Sequence, residues 1–229
     1  MLTVLLITPL IGSLILISIN DETPAERIHV KHVALTVSIV AFIISIILWA
    51  IYDASSPKYQ FVQSYTSLGF CHFHVGIDAL NLYYVVLTAL LIPICLLASW
   101  ENVQIRLKAY FATLLVVETL LLTLFTVLDL LLFYVFFEAA LVPFFLIVGI
   151  WGSSNTRIRA ALLLFLYTLA GSLFILLAIV VIAGHIGTTD FTLVTLNDFT
   201  SQGQRLLWLG FFVAFAVKTP LVPFHIWLP

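Results

Sequence analysis

Three ionisable residues, Glu118, Glu138 and Lys218, stand inside apolar stretches long enough to cross a bilayer. A charge at mid-membrane depth costs about 2.5 to 3.5 kcal/mol on insertion scales, so it faces a partner or water and marks a path for ions or protons. Low dielectric favours the neutral form of a carboxyl group and a nearby cation favours its ionised form, so moving the cation switches protonation. Glu138 beside Lys218 would be such a pair, its protonation set by whether the two are close or apart. The chemistry would be proton transfer. The competing reading is a static salt bridge pinning two helices, but desolvation roughly cancels attraction in buried pairs, which makes stability a poor reason to keep one. Glu118 has no partner that the sequence names.

The backbone around these residues is also informative. Pro220 cannot donate to the carbonyl of Ala216, nor Pro223 to that of Thr219, so the last apolar stretch should break where Lys218 lies. Freed carbonyls at that depth need side chains, protein or water as partners, and a broken helix at a buried charge is typical of transporter ion sites. Pro143 loosens the carbonyl of Ala139 in the same way, although proline is in any case commoner in membrane helices. His225, seven residues after Lys218, would fall on the same helical face two turns on and could pass a proton onward, or simply be a hydrogen-bonded interface histidine. Cys71, His72 and His74 lack a fourth metal ligand near in sequence and read as plain loop residues. Tyr167, Thr168 and Ser172 could line a hydrated path, but packing between helices is the better reading.

The elements that must position these groups follow from composition. Of 229 residues, 63% are hydrophobic and 9% charged, which leaves too little polar surface for a water-soluble fold. The class is an all-α integral membrane protein, one transmembrane domain over residues 1–229. A formal net charge of −2 without a basic run removes any footprint for nucleic acid, and two cysteines give no disulfide framework. Seven stretches have the roughly 20 apolar residues a span needs: 1–19, 33–52, 80–100, 109–128, 129–151, 160–184 and 206–229. Glu118 and Glu138 each fall at the middle of a span. Stretch 1–19 lacks the basic start and cleavage site of a signal peptide and reads as a retained helix, and no transit peptide precedes it.

Connections after spans one, three and five carry Arg27, Lys31, Arg106, Lys108, Arg157 and Arg159, against only Lys58 and Arg205 after spans two, four and six. That bias places the N-terminus outside. In the first outer connection Tyr59, Phe61, Gln63 and Tyr65 alternate with Gln60, Val62, Ser64 and Thr66, the rhythm of an extended strand. The second, residues 185–205, with Phe191, Leu193, Val194 and Leu196 between polar neighbours, should lie along the interface without evident chemistry. No glycine-rich phosphate loop or nucleophile elbow is present in the sequence.

The segments Asp129-Leu-Leu-Leu-Phe-Tyr-Val-Phe-Phe-Glu138, Gly149-Ile-Trp-Gly152 and Lys218-Thr-Pro-Leu-Val-Pro-Phe-His-Ile-Trp-Leu-Pro229 closely resemble the subunit 4 family of proton-pumping NADH:ubiquinone oxidoreductase, respiratory complex I. Gly76-Ile-Asp78 and Gly187-Thr-Thr-Asp190 resemble it too, especially its mitochondrially encoded members. The resemblance covers essentially the whole chain. It implies an antiporter-like inverted-repeat fold in which Glu138 and Lys218, on a broken seventh helix, form the proton-transfer pair, with Glu118 matching an additional fourth-helix glutamate. It further implies the mitochondrial inner membrane, with the N-terminus toward the intermembrane space. The expected partners are lipid and the other membrane-arm subunits. No cofactor is expected in this chain, the complex as a whole using NADH, FMN, iron-sulfur clusters and ubiquinone.

That family has about fourteen helices in two inverted repeats, and a complete path needs both. The chain matches the first repeat, so the expectation is a split subunit whose C-terminal half comes from a second polypeptide. Two other functions compete: a cation/proton antiporter subunit, and a truncated structural or assembly subunit without its own channel. Retention of Glu118, Glu138 and Lys218 argues against the last, since apolar replacements would serve structure better.

Overall fold

A computed structural model describes residues 1–68, 71–194 and 199–227. Leu196, Leu228 and Pro229, which belong to the stretches read above, lie outside the described residues, as do the side chains of Tyr65, Thr66, Cys71 and His72. The described chain is mostly helical: α1 (Leu2–Ser18), α2 (Pro24–Ile51), a hairpin of β1 (Gln60–Leu68) and β2 (Cys71–Ile77), α3 (Ala79–Ala98), α4 (Leu107–Thr126), α5 (Leu130–Ala139), α6 (Leu141–Trp151), α7 (Arg157–Ile186), α8 (Ser201–Lys218) and a single 3-10 turn, Phe224–Trp227. Helices α2, α3, α4, α7 and the stretch Leu130–Trp151 are long and apolar enough to cross a membrane, and α1 is a shorter apolar helix. Large side chains such as Ile17, Leu80, Leu177 and Trp208 are more than half exposed on the helices, as expected where lipid replaces water.

Local chemistry sets where the helices start. Thr23 and Glu26 form a reciprocal capping box ahead of Pro24, with the Glu26 carboxylate accepting from the Thr23 N–H at 2.8 Å. Helix α2 therefore begins nine residues before the apolar stretch that was expected to define it. Asp78 caps α3 by accepting from the Asn81 N–H at 2.6 Å, and Thr200 caps α8 through the Gly203 N–H at 3.2 Å. Helix α7 ends at Gly187, whose φ of 82° is left-handed and suits glycine.

The chain forms two compact units. The first holds residues 1–63 and 75–126. In it α1 packs on α2 and α4, and α3 on the same two helices. Two lysines read from the sequence as loop charges cap helix ends here. Lys108 Nζ donates to the Ile19 carbonyl at 2.9 Å, and Lys31 Nζ donates to the Trp100 carbonyl while lying 5.6 Å from the centroid of its ring.

The second unit holds residues 64–74 and 127–229. Helix α7 is its centre and touches α5, α6, α8 and the 3-10 turn. Close approach of α7 and α8 needs small residues: a Cβ at Gly171 would sit 2.8 Å from the Val217 Cβ, and one at Gly210 would lie 3.0 Å from the Phe174 carbonyl oxygen.

Several expectations change. The loop reading of Cys71, His72 and His74 is wrong, for all three lie on β2. Pairing with β1 makes them a strand, on which Val75 and Ile77 are fully buried. The stretch 129–151 is divided at Ala140, where the α5 ladder closes on the Phe136 carbonyl at 3.1 Å. Pro143 removes the donor that would carry the ladder onward from Ala139. The last stretch starts five residues earlier than expected and its helix stops at Lys218.

Candidate proton-transfer site

Helix α5 is placed by its first turn. The Asp129 carboxylate is 1% exposed. One of its oxygens accepts from the Leu131 and Leu132 N–H groups at 2.9 and 3.1 Å, and the other accepts from the Thr189 hydroxyl at 2.6 Å. Around it the backbone forms a small antiparallel patch. Leu130 N–H donates to the Thr189 carbonyl at 2.9 Å, Phe191 N–H to Leu128 at 2.8 Å, and Leu128 N–H to His74 at 2.8 Å. His74 Nδ1 is 3.6 Å from the Asp190 carboxylate. Burial pushes the Asp190 carboxyl up, but the Thr192 hydroxyl and N–H together with His74 outweigh it and hold the group below its ordinary value. The connection after α7 therefore anchors the start of α5, a role its sequence does not announce.

Glu138 lies near the other end of α5, half-buried, with its Oε1 lacking a hydrogen-bond partner. Lys218 is the last residue of α8 and is also half-buried. Its ammonium meets α5 one residue short of Glu138: Nζ donates to the Phe137 carbonyl at 3.1 Å and lies 3.4 Å from the centroid of the Phe137 ring. No ion pair within 4.0 Å joins Glu138 to Lys218, although each lies in the electrostatic field of the other. The lysine thus rests where two helices end. Carbonyls at a helix C-terminus carry partial negative charge and favour a cation.

The break after Lys218 satisfies its own backbone. Leu221 N–H reaches the Ala216 carbonyl that Pro220 leaves open, at 2.9 Å. The Trp227 indole N–H donates to the Val217 carbonyl at 2.8 Å, so the 3-10 turn folds back on α8. Thr219 supplies its N–H, at 2.8 Å, and its hydroxyl to the Phe215 carbonyl. One consequence corrects the reading of His225. It sits exposed on the 3-10 turn, and with the helix stopped at Lys218 no shared helical face connects the two.

Glu118 belongs to the first unit. It is 0% exposed, and neither carboxyl oxygen has a hydrogen-bond partner. Burial of an unpaired carboxylate costs far more than packing returns, which sets this residue apart from a structural polar group.

Some participants escape sequence reasoning. Ser172 of α7, read there as packing, donates to the Leu169 carbonyl at 2.8 Å and is an electrostatic neighbour of Glu138 and Tyr134. Tyr134 precedes Glu138 by four residues, one turn along α5, a spacing that could have marked it. Phe137 carries no polar signal at all. Thr168 is spent on its own helix, donating to the Leu164 carbonyl at 2.5 Å. Among the described residues no group of three or more His, Cys, Asp or Glu could hold a metal ion.

Comparison with known proteins agrees with this architecture. The family described as "NADH:quinone oxidoreductase/Mrp antiporter, TM" matches residues 127–229. NADH-ubiquinone oxidoreductase chain 4 of Mycosarcoma maydis is 52% identical over all of this chain and 47% of its own length. The chain 4 protein of Arabidopsis thaliana is 45% identical over 98% of this chain and 45% of its own. NADH-quinone oxidoreductase subunit M of Rickettsia prowazekii is 41% identical over 100% and 47%. Among solved structures, respiratory complex I from Thermus thermophilus with bound NADH contains a chain that superimposes with a TM-score of 0.82 at 29% identity, covering all of this chain and 46% of that one. The chain thus spans about half the length of the relatives it matches. Along its whole length the chain is thus similar to about half of the chain 4 and subunit M proteins of NADH oxidoreductases, with residues 127–229 matching the NADH:quinone oxidoreductase/Mrp antiporter family and the fold shared with a chain of respiratory complex I.

Proposed function

We propose that this chain is the N-terminal, proton-handling half of an antiporter-like subunit in the membrane arm of NADH:ubiquinone oxidoreductase, acting as one transmembrane domain. Glu138 and Lys218 are its switchable pair, and Glu118 is a further proton-holding group. The observation that carries this reading is the position of the Lys218 ammonium, on the Phe137 carbonyl at the end of α5 and adjacent to Glu138 without closing an ion pair. A pair held this near and left open can change partners with little movement. Moving the cation onto the carboxylate favours its ionised form, and withdrawing it lets the carboxyl take up a proton.

The rest of the antiporter-like fold, whether in a continuation of this chain or in another polypeptide, completes the path. NADH, FMN, iron-sulfur and ubiquinone chemistry belongs to other parts of the complex, and the partners of this half are membrane-arm subunits and lipid. The chain 4 names of the relatives favour this over a cation/proton antiporter, which the family description also covers. Those relatives support a mitochondrial inner membrane location, and the lysine and arginine bias supports an N-terminus on the intermembrane side.

The test is Glu138→Ala and Lys218→Ala in the intact complex in coupled inner-membrane particles. Protons moved per electron should fall sharply while the amount of assembled complex is unchanged. Glu118→Ala should give a partial loss. Normal coupling in assembled Glu138→Ala or Lys218→Ala complex would sink the proposed pair.

A further inference from the structure

The ring under Lys218 belongs to a run of aromatic contacts. Phe137 is 5% exposed, stacks on Phe133 at 5.8 Å between centroids and meets Phe215 edge-on at 6.1 Å. Phe215 in turn stacks on Phe211 at 6.3 Å. The Phe137 ring face is thus held fixed from both helices, and the Lys218 ammonium sits over it. An aromatic face is electronegative and attracts a desolvated cation. Together with the Phe137 carbonyl it gives the ammonium a resting place that contains no carboxylate.

We propose that Phe137 is a positioning residue for proton transfer, a cation rest that holds Lys218 apart from Glu138 and so keeps the pair from locking as a salt bridge. This rests on the Glu138–Lys218 reading above. A buried lysine withdrawn from its counter-ion needs compensation, or the withdrawn state is too costly to populate. The ring and the carbonyl at the end of α5 supply it, leaving Glu138 free to take up or give up a proton while the lysine waits one residue away. A leucine at this position would keep most of the apolar volume and lose the ring face, shifting the ammonium toward Glu138 by about 10- to 30-fold.

The experiment compares Phe137→Leu and Phe137→Tyr with Lys218→Ala in the assembled complex, reading protons per electron, NADH oxidation and the amount of complex. Phe137→Leu should lose about half or more of the coupling that Lys218→Ala loses, and Phe137→Tyr, which keeps the ring, should restore it. A packing role would not produce that rescue, since the added hydroxyl disturbs the buried cluster. Wild-type coupling in Phe137→Leu, or equal damage by leucine and tyrosine, overturns the proposal. If the leucine variant does not assemble, Phe137→Met takes its place, and failure of both to assemble marks the ring as packing and overturns it too. Coupling retained in Lys218→Ala would instead sink the pair itself, a result separate from the response at Phe137.

Discussion

Asp129→Ala removes a carboxylate that holds the first turn of α5 from two sides. The methyl side chain cannot accept from the Leu131 and Leu132 N–H groups, and Thr189 loses the acceptor it reaches at 2.6 Å. Losing an N-cap costs about 1 kcal/mol, and losing a buried hydrogen bond to a charged group costs about 2 kcal/mol. The resulting loss of about 3 kcal/mol corresponds to roughly 100-fold easier opening of that turn. Asp129→Asn keeps an acceptor for the two N–H groups and offers Thr189 an amide instead, so its effect should stay near tenfold. Hydrogen exchange at Leu131 and Leu132 in the assembled complex reads this directly, because protection there reports the local opening free energy. Glu138 lies nine residues further on, about 13.5 Å along the helix axis, so coupling should weaken in the same order as the exchange. Unchanged exchange in Asp129→Ala would refute the claim that this carboxylate holds α5.

Two further outcomes follow from packing and charge. Gly171→Val should destabilise the α7–α8 contact by about 1 to 3 kcal/mol, because even the Cβ would meet Val217 at 2.8 Å; thermal melting of the complex would show it, and an unaltered melt would mean that α8 can shift freely. The Asp190 carboxyl is held below its ordinary value of 3.8, so its contribution is fully present above that value and lost as pH falls through the lowered one. Proteolysis of the 187–193 connection should accordingly stay constant from neutral pH down to about 4 and rise below it, and Asp190→Asn should abolish that acid dependence.

How much of this the residues disclose depends on the range of the interaction. Apolar length marked most of the crossing helices, and Pro220 marked the break after Lys218, because both are properties of a single segment. The alternation from Tyr59 to Thr66 marked β1 for the same reason. What stayed hidden joins distant segments. His74 reads as loop until Leu128 donates to its carbonyl, and Asp129 reads as a boundary until Thr189 reaches it. Lys218 and Glu138 stand out in the sequence by type and by depth within apolar stretches. That the ammonium rests on a phenylalanine 81 residues away could not be read, since nothing polar distinguishes Phe137 from its neighbours. His225 was placed by counting helical turns across a break that ends the helix.

The placement of Lys218 at the end of α5 has an electrical consequence. Its present rest and Glu138 are adjacent residues, so a shift between them spans about 4 Å, little more than a tenth of a hydrocarbon layer about 30 Å thick. A full crossing by one elementary charge is worth about 2.3 kcal/mol at 100 mV, so this step feels only about 0.3 kcal/mol. A switch built on the proposed pair would therefore be nearly blind to the membrane voltage. On the proposed reading, a membrane potential would then leave the lysine unbiased toward either rest, and the work against the field would fall on the protons themselves.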